Sequence, residues 1–600
     1  MRYRWLPSIL MASLLGTPGF AADEAAKSSL PASDSAKAAA NSSSTASREG
    51  NDANAAAQPT TAAPDPAILL QLKELKEQLD AQRHAFDEQE KRVALLESEL
   101  SAAKNSPSPS SVAGNSSSAP IVPPEPAVQP AVENQPAPSA AQQSGQPQIN
   151  ITQPEHPVSF KIGAADFTPG GFADITAYYR SKDVGSGLGT SFGSIPYNNA
   201  LPQGGLSEFR FTSQSSRLSL KVDANVTKDT AVTGYVESDF NGYQPPNAYQ
   251  STNSSTFRLR LYWVDITHGK WEVLGGQSWS LLTANRYGLS PNPGDVFTTL
   301  RLDTNYVAGL VFARQAGFRV VYHPSSWWAI GAAFENPEQF APSSVVFPGA
   351  AGYFGGQFDN GSGSTSATSA STNTATPNLH PDVIVKTAFD WKPAGRAFHL
   401  EAAGIIRSFR DFNNLVTPAA TATTTGGAGS VNLNFEVLKG LHLIADTFYG
   451  DGGGRYISGL GPDVIVRPDG TISVVHSGSG VAGFEWQAKQ NLLFDGYYGG
   501  AYFQRNYGLS PGAATASCAG NAGFTCVGFG YPGSANTANR AIQEGTFGVI
   551  PTLWSSPNYG KLQLITQYSY VVRNPWSAPA AGPRNAHAIL GYADLRYILP

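Results

Sequence analysis

Hydrophobic and polar residues alternate along residues 217–240 of the chain. Leu218 and Leu220 stand between polar neighbours, the short polar turn Thr227–Asp229 follows, and the alternation resumes at Val232. A period of two predicts β-strands, and each run has about ten residues, the length that a tilted strand needs to cross a bilayer. One face is apolar and the other carries charges. This pattern predicts a hairpin of a transmembrane β-barrel, with lipid outside and water inside.

The alternation recurs through the C-terminal part of the chain and predicts about sixteen strands, with short turns and long loops in alternation. Eighteen strands stay open as an alternative, if a long loop contains a hairpin. The predicted strands are 171–181, the hairpin 217–240, 256–268, 270–280, a strand that ends at His323, 327–336, 382–391, 396–410, 429–438, 441–449, 473–488, 491–505, 540–553, 560–573 and 586–599.

The predicted fold is therefore all-β: a transmembrane antiparallel β-barrel over residues 159–600, preceded by an α-helical coiled coil and disordered linkers. Within hydrocarbon every backbone N–H and C=O needs an internal partner, and strands satisfy this only in a closed barrel. Beyond the N-terminal segment the sequence has no apolar run long enough for a transmembrane helix. Bacterial outer-membrane barrels place their short turns in the periplasm, so both ends of this barrel are expected there.

The first residues read as a secretory signal, 1–21. Arg2 and Arg4 precede a short apolar core, Leu6–Leu15, and small residues follow at Gly19–Ala21. Residues 22–64 are rich in Ala, Ser, Thr and Asn and are expected to be a disordered linker.

Residues 65–101 predict a coiled coil, which starts at Asp65-Pro66. Apolar positions follow in steps of four and three over nearly five heptads, about 50 Å of helix. A helix lying on another surface is the alternative. Because so narrow a stripe cannot stay buried alone, we expect an oligomer, and a trimer is preferred although the seam leaves the number of strands open. Residues 102–158 form a second linker, rich in Pro and Ser.

Composition and charge narrow the function further. The formal net charge of -5 gives no sign of a nucleic-acid partner. The two cysteines, Cys518 and Cys526, are expected to form a disulfide in an exported loop, and neither a metal nor a cofactor is predicted. Gly189–Gly193 fits G-x-S-x-G by letter but has no strand-to-helix context, so an outer-membrane lipase or protease is the disfavoured reading. No enzymatic activity is predicted.

A barrel of sixteen strands has room for an aqueous channel, whose selectivity depends on the charges that face it. Arg258 and Arg260 share one face of one strand, which predicts an anion-attracting constriction, while solvated lumen charges without a specific role are the alternative. The candidate pore-lining residues are Arg217, Lys221, Glu237, Asp239, Arg258, Arg260, Arg286, Asp295, Arg301, Arg314, Arg319, Arg407 and Arg505.

Five segments, taken in order, resemble the DcaP-like trimeric porins of bacterial outer membranes. They are Gly234–Phe240, Gly276–Ser280, Arg314-Gln315, Pro381–Ile384 and Tyr449–Tyr456. The resemblance implies a trimer of sixteen-stranded barrels, a third loop folded inward, and passive uptake of small, often anionic solutes such as dicarboxylates. The chain departs from such porins at its end, Leu599-Pro600, where they have an aromatic residue.

We therefore expect an outer-membrane porin that lets small polar solutes diffuse, with its N-terminal region in the periplasm. The expected partners are outer-membrane lipids, two further copies of the chain, small polar or anionic solutes, and peptidoglycan. The alternative function is structural: the barrel would anchor a tether that reaches the cell wall through the coiled coil.

Overall fold

The computed structural model describes residues 158–242, 255–304, 306–349, 353–359, 378–458, 460–578 and 582–600. The predicted signal, the coiled coil with its tethering role, and the two linkers lie outside the described residues, apart from Val158 at the end of the second linker. No helix in the described ranges is long and apolar enough to cross a membrane.

The described part of the chain folds into one antiparallel barrel. Its strands are β1 (Ala165–Arg180), β2 (Glu208–Thr212 and Arg217–Thr227), β3 (Thr230–Asp239), β4 (Arg258–His268), β5 (Trp271–Trp279), β6 (Arg314–Ser325), β7 (Trp328–Glu335), β8 (Asp382–Trp391), β9 (Phe398–Asn413), β10 (Ala420–Leu438), β11 (Leu441–Asp451), β12 (His476–Lys489), β13 (Leu492–Phe503), β14 (Asn539–Ser556), β15 (Gly560–Pro575) and β16 (Ala586–Ile598).

The barrel closes because β1 pairs with both β2 and β16; Phe172 lies opposite Arg217 on one side and opposite Ile598 on the other. The sheet has 18 strand segments. Two of these segments follow one another along β1 and together make up β2. The short segment Phe160–Ile162 pairs only with the start of β1 and is not a separate strand of the wall. The barrel therefore has 16 strands. The prediction of sixteen strands is confirmed, and the eighteen-stranded alternative is wrong.

Short turns join the strands at one end of the barrel and longer connections at the other, as predicted. The predicted boundaries differ from the observed ones by several residues in places, and the largest difference is in β10. The strand predicted at 429–438 begins at Ala420, so that Thr423 and Thr425 lie opposite Arg410 and Ser408 of β9. The Thr-rich segment looked like a loop by composition, but β-branched threonine suits an extended ladder.

The wall alternates between an apolar outer face and a polar inner face. On β4, Val264 is 47% exposed while the next residue, Asp265, is 8% exposed. The same alternation places Tyr568 and Tyr570 outside on β15, and Gln567 and Ser569 inside. A closed barrel with a continuous apolar outer surface is built to stand in lipid, where strands have no unpaired edge.

The connection between β5 and β6, residues 280–313, folds into the barrel and is called the third loop. Its backbone is held by side chains of the opposite wall. The N–H of Leu302 donates to Gln567 Oε1 at 2.7 Å, and that of Ala308 donates to Glu544 Oε2 at 3.0 Å. The third loop therefore crosses the lumen and divides it.

The prediction of water inside the barrel is wrong for one side of it. Inward-facing residues of β6 to β9, β11 and β13 pack with four loops into an apolar cluster, called the lumen plug. These loops bury their apolar residues against the wall and thereby remove water from this part of the lumen. Representative members are Leu281, Leu282, Val321, Ala333, Phe354, Ile384, Ile405, Ile457 and Val464.

Candidate functional site

A cavity of about 400 Å³ remains on the other side, between the third loop and the wall formed by β1 to β6 and β16. Its lining is strongly cationic. Two carboxylate residues, Asp239 and Asp303, line it. Eight arginines line it as well: Arg217, Arg258, Arg260, Arg286, Arg301, Arg314, Arg455 and Arg596.

The arginines of β4 are positioned by an irregularity in the ladder. The register between β3 and β4 shifts between Glu237 and Ser238, as a β-bulge does. Arg258 and Arg260 then both pair with carboxylates of β3. Arg260 lies 2.6 Å from Glu237 and 2.8 Å from Asp239, and Arg258 lies 2.8 Å from Asp239. The guanidinium groups are thus fixed at the cavity wall rather than free to swing.

The third loop brings two further arginines to the cavity. Arg286 binds Glu485 of β12 through two nitrogens, at 2.7 and 2.8 Å. Arg301 pairs with Asp495 of β13 and lies over the ring of Tyr497, 5.4 Å from its centre. Such charge-assisted contacts with planar guanidinium groups anchor the loop as well as charge its surface.

Two lining arginines belong to other parts of the molecule. Arg596 of β16 pairs with Asp174 at 3.1 Å and with Asp594 at 3.0 Å. Arg455 pairs with Glu338 at 3.1 Å, and both residues lie in loops outside the strands. Burial raises the pKa of the Glu338 carboxyl, although the neighbouring Arg455 opposes this.

Arg314 differs from the other lining arginines because it has no carboxylate partner among the described residues. Its guanidinium lies 5.8 Å from the centre of the Trp279 ring, and its buried Nη1 has no hydrogen-bond acceptor in the described ranges. Trp279 packs against Phe312, which in turn contacts Tyr306. The site thus combines an unneutralised cation with an aromatic wall.

The structure brings a majority of the predicted pore residues together. Glu237 lies behind the lining, bonded to Arg260 and to Arg217, the latter at 3.5 Å. The predicted residues that line the cavity are Arg217, Asp239, Arg258, Arg260, Arg286, Arg301 and Arg314. The predicted residues that lie elsewhere are Lys221, Asp295, Arg319, Arg407 and Arg505.

Arg319 and Arg407 face inward as predicted, but loops cover them. Arg319 donates to the backbone carbonyls of Leu289 and Trp279, so it holds the third loop to the wall. Arg407 pairs with Asp382 at 3.1 Å and with Asp463 at 2.9 Å beneath the lumen plug. Both side chains are buried structural cations, because their neighbouring loops fold inward.

The remaining three residues lie away from the cavity for different reasons. Lys221 lies further along β2 towards the short turns and pairs with Asp223 at 3.1 Å. Asp295 contributes its backbone carbonyl to Arg286 within the third loop. Arg505 follows the end of β13, is exposed, and lies against Trp576 at the rim.

Sequence reasoning missed Arg455, Arg596 and the aromatic residue Tyr306. Arg596 had a usable signal, because it continues the inward series of β16. Arg455 lies in the segment Tyr449–Tyr456 that carries the resemblance, but no period places it or Tyr306 at the cavity, since both lie in loops.

Two other predicted features have clear positions. Cys518 and Cys526 form a disulfide, with their Cα atoms 5.3 Å apart, and Cys526 lies opposite Leu509 in the hairpin of Asn506–Pro511 and Phe524–Phe529. Ser191 lies in the loop after β1 and precedes a single 3₁₀ turn, Phe192–Ser194, which differs from a nucleophile elbow. Among the described residues, no group of three His, Cys, Asp or Glu side chains could hold a metal ion.

No protein-family model matches the chain, and no curated protein matches it in sequence. Solved structures do. The outer membrane channel DcaP of Acinetobacter baumannii has 16% identity and a TM-score of 0.49, and the match covers 73% of this chain and 100% of that one. The anion-selective porin from Comamonas acidovorans has 11% identity and a TM-score of 0.39, and the match covers 72% of this chain and 100% of that one. OprB of Pseudomonas putida has 12% identity and a TM-score of 0.38, and the match covers 72% of this chain and 94% of that one.

The chain is similar to these three outer-membrane proteins with a TM-score below 0.5 in each case. The channel named first is the one whose family the sequence motifs resemble. The function is argued from the barrel and its cavity.

Proposed function

We propose that the protein is an outer-membrane porin that lets small polar solutes diffuse passively and that favours anions such as dicarboxylates. The observation that carries this proposal is the cavity of the barrel, lined by eight arginines and two aspartates. A cationic constriction within low-dielectric walls concentrates anions and repels cations. The proposed location is the bacterial outer membrane, with the N-terminal region in the periplasm.

The arginines contribute unequally to this field. Seven of the eight lining arginines have carboxylate partners at or behind the wall, and three of these, Arg217, Arg258 and Arg260, share the two carboxylates of Glu237 and Asp239. Arg314 has no such partner among the described residues, and Arg258 and Arg260 add positive potential beside it. A transiting carboxylate therefore meets its strongest unneutralised donor at Arg314.

The aromatic residues favour an organic anion over a small inorganic one. Trp279 and Phe312 line the cavity next to Arg314, and their ring centres are 6.0 Å apart. A dicarboxylate can place its carboxylate on the guanidinium and its methylene carbons on these rings.

The selectivity proposal is tested by the variant Arg314→Ala. Reversal potentials in planar bilayers under a salt gradient would give the anion-to-cation permeability ratio, which we expect to fall by about threefold or more because the unneutralised charge is lost. Lys221→Ala is the matched control, since it removes a lumen cation that lies outside the cavity. An unchanged ratio for Arg314→Ala, or an equal fall for the control, would contradict the proposal.

We further propose that the chain assembles as a homotrimer, which the seam of residues 65–101 supports. Light scattering of the purified protein in detergent should give three chains per particle, and deletion of 65–101 should shift the particles to lower mass on dilution. A monomer for the full chain at all concentrations would contradict the assembly. Contact of this region with peptidoglycan would be tested separately, by co-sedimentation of the isolated protein with cell wall.

A further inference from the structure

Two exposed arginines and a tryptophan lie together at the rim of the barrel, away from the cavity. The guanidinium carbon of Arg505 lies 5.5 Å from the centre of the Trp576 ring, and that of Arg540 lies 5.9 Å from the same centre. Trp576 makes an edge-to-face contact with Tyr502, with 6.2 Å between ring centres. Tyr502 faces outward from β13 and is 43% exposed. These four residues are called the rim cluster: Tyr502 faces the outside of the wall, and Trp576 also packs against the lumen plug.

The geometry of the rim cluster is fixed by its surroundings. The indole N–H of Trp576 donates to the carbonyl of Phe503 at 3.0 Å. Gly530 packs against the other side with φ +71°, and a Cβ there would lie 2.5 Å from Trp576 Cδ1 and 2.9 Å from Arg505 Cβ. The indole is thus held in place, and the two guanidinium groups share a rigid platform.

The charges of the rim cluster are not neutralised within the described chain. Neither Arg505 nor Arg540 has a carboxylate within ion-pairing distance or a side-chain hydrogen bond among the described residues. The arginines of the cavity behave differently, since carboxylates hold all but Arg314. Two unpaired guanidinium groups on one ring repel each other unless an anion lies between or beside them.

The rim cluster lies at the end of the barrel that carries the long loops. Arg505 follows the end of β13 by two residues, Arg540 is the second residue of β14, and Trp576 directly follows β15. All three ends are on the side of the long loops. Below them, Tyr498, Tyr502 and Tyr570 face outward, as in the aromatic girdle at a membrane interface.

We propose that the rim cluster binds the phosphate group of a lipid in the outer leaflet. The guanidinium N–H groups of Arg505 and Arg540 match phosphate oxygens in charge and in fork geometry. The acyl chains of the same lipid would run along the outward tyrosines of β13 and β15. A free phosphate would satisfy the charges but would leave this apolar surface without a partner. This inference concerns the outer wall and is independent of the solute path.

The test measures lipid binding to the full-length protein in a non-ionic detergent. Titration of bisphosphorylated lipid A and of its dephosphorylated form, followed by native mass spectrometry and Trp fluorescence, gives both affinities. We expect the phosphorylated lipid to bind at least about tenfold more tightly, and the variant R505Q/R540Q to lose that difference. R467Q is the control, because Arg467 is an exposed arginine of an extramembrane loop outside the rim cluster.

Each outcome is decisive. Equal affinity for the two lipid forms in the wild type, or an unchanged preference in R505Q/R540Q, would overturn the proposal. Inorganic phosphate that competes at the same concentration as the lipid would overturn the assignment to a lipid. The single-channel conductance of R505Q/R540Q in a neutral bilayer should equal that of the wild type, which shows that the variant is folded and separates this result from any failure of the porin proposal.

Discussion

At the scale of single residues, the lumen is a set of cations held by carboxylates, and the exceptions define its function. Arg260 has Glu237 and Asp239, and Arg286 has Glu485. A paired guanidinium is fixed in position and partly neutralised, so it shapes the cavity more than it charges it. The charge that a solute meets depends on arginines whose partner is absent or can be removed.

The pair of Arg455 and Glu338 predicts a dependence on pH. Burial raises the pKa of Glu338 above its ordinary value, so its charge is lost at a higher pH than that of an ordinary carboxyl. As the pH falls through this raised pKa, Glu338 becomes neutral and Arg455 keeps its charge. The anion-to-cation permeability ratio should therefore rise in mildly acidic solution.

Reversal potentials measured from neutral to acidic pH would show this rise. In Glu338→Gln the carboxylate is absent at every pH. The anion-to-cation permeability ratio of this variant should already be high at neutral pH. It should not rise further through the pH range in which Glu338 is protonated in the wild type. A variant whose pH profile overlays that of the wild type would exclude Glu338 as the titrating group.

At the scale of elements, the third loop determines the shape of the cavity, and the opposite wall holds it by hydrogen bonds. Gln567 of β15 accepts from the backbone N–H groups of Leu302 at 2.7 Å and Asp303 at 3.2 Å. These two donors lie in the buried middle of the lumen. Removing their acceptor leaves each of them unsatisfied, at a cost of about 1–3 kcal/mol per group.

Gln567→Leu is therefore expected to loosen the third loop without changing any charge. Single-channel records should show larger and more frequent fluctuations in conductance, while the permeability ratio stays close to that of the wild type. Gln563→Leu is the matched control, since Gln563 lies on the same inner face of β15 but bonds to Thr552 at 3.0 Å. Equal noise in the two variants would contradict the anchoring role.

The elements also show how far the sequence could be interpreted. The strands were predictable because each position in a barrel wall has lipid on one side and protein or water on the other, and this gives a strict period of two. Arg258 and Arg260 share one face, but that period does not place them: the outward residues of the same strand are Tyr262, Val264 and Ile266, and the bulge beside Arg260 turns the two arginines inward. Arg319 and Arg407 have inward parity and are nevertheless buried, because loops from distant parts of the chain cover them. No local pattern specifies where such loops dock.

At the scale of the whole molecule, the barrel separates a lipid-facing surface from a divided interior. The outer surface predicts a cost that depends on depth. A charged residue at the membrane midplane of such a barrel costs about 2–4 kcal/mol, and one near the interface costs about 0–1 kcal/mol. Val264 lies in the middle of β4, and Val226 lies near the short turn after β2; both are exposed on the wall.

Val264→Arg should consequently lower the free energy of unfolding in lipid vesicles by about 2–4 kcal/mol, whereas Val226→Arg should change it by less than about 1 kcal/mol. Denaturant titration of protein folded into vesicles, followed by Trp fluorescence, measures both values. Similar costs for the two substitutions would show that the wall of β2 to β4 does not face the hydrocarbon of a bilayer.

The lumen plug has a consequence for how the protein matures. Its members come from β6 to β9, β11 and β13, from the third loop and from loops as distant as Ala538, so it is complete only after these strands have come together. We therefore expect water to fill the whole lumen of the newly inserted barrel. The loops then pack into the lumen plug and exclude water from one side in a later step. The pore should therefore be wider before the lumen plug packs than after. The loops should become resistant to protease later than the barrel itself forms.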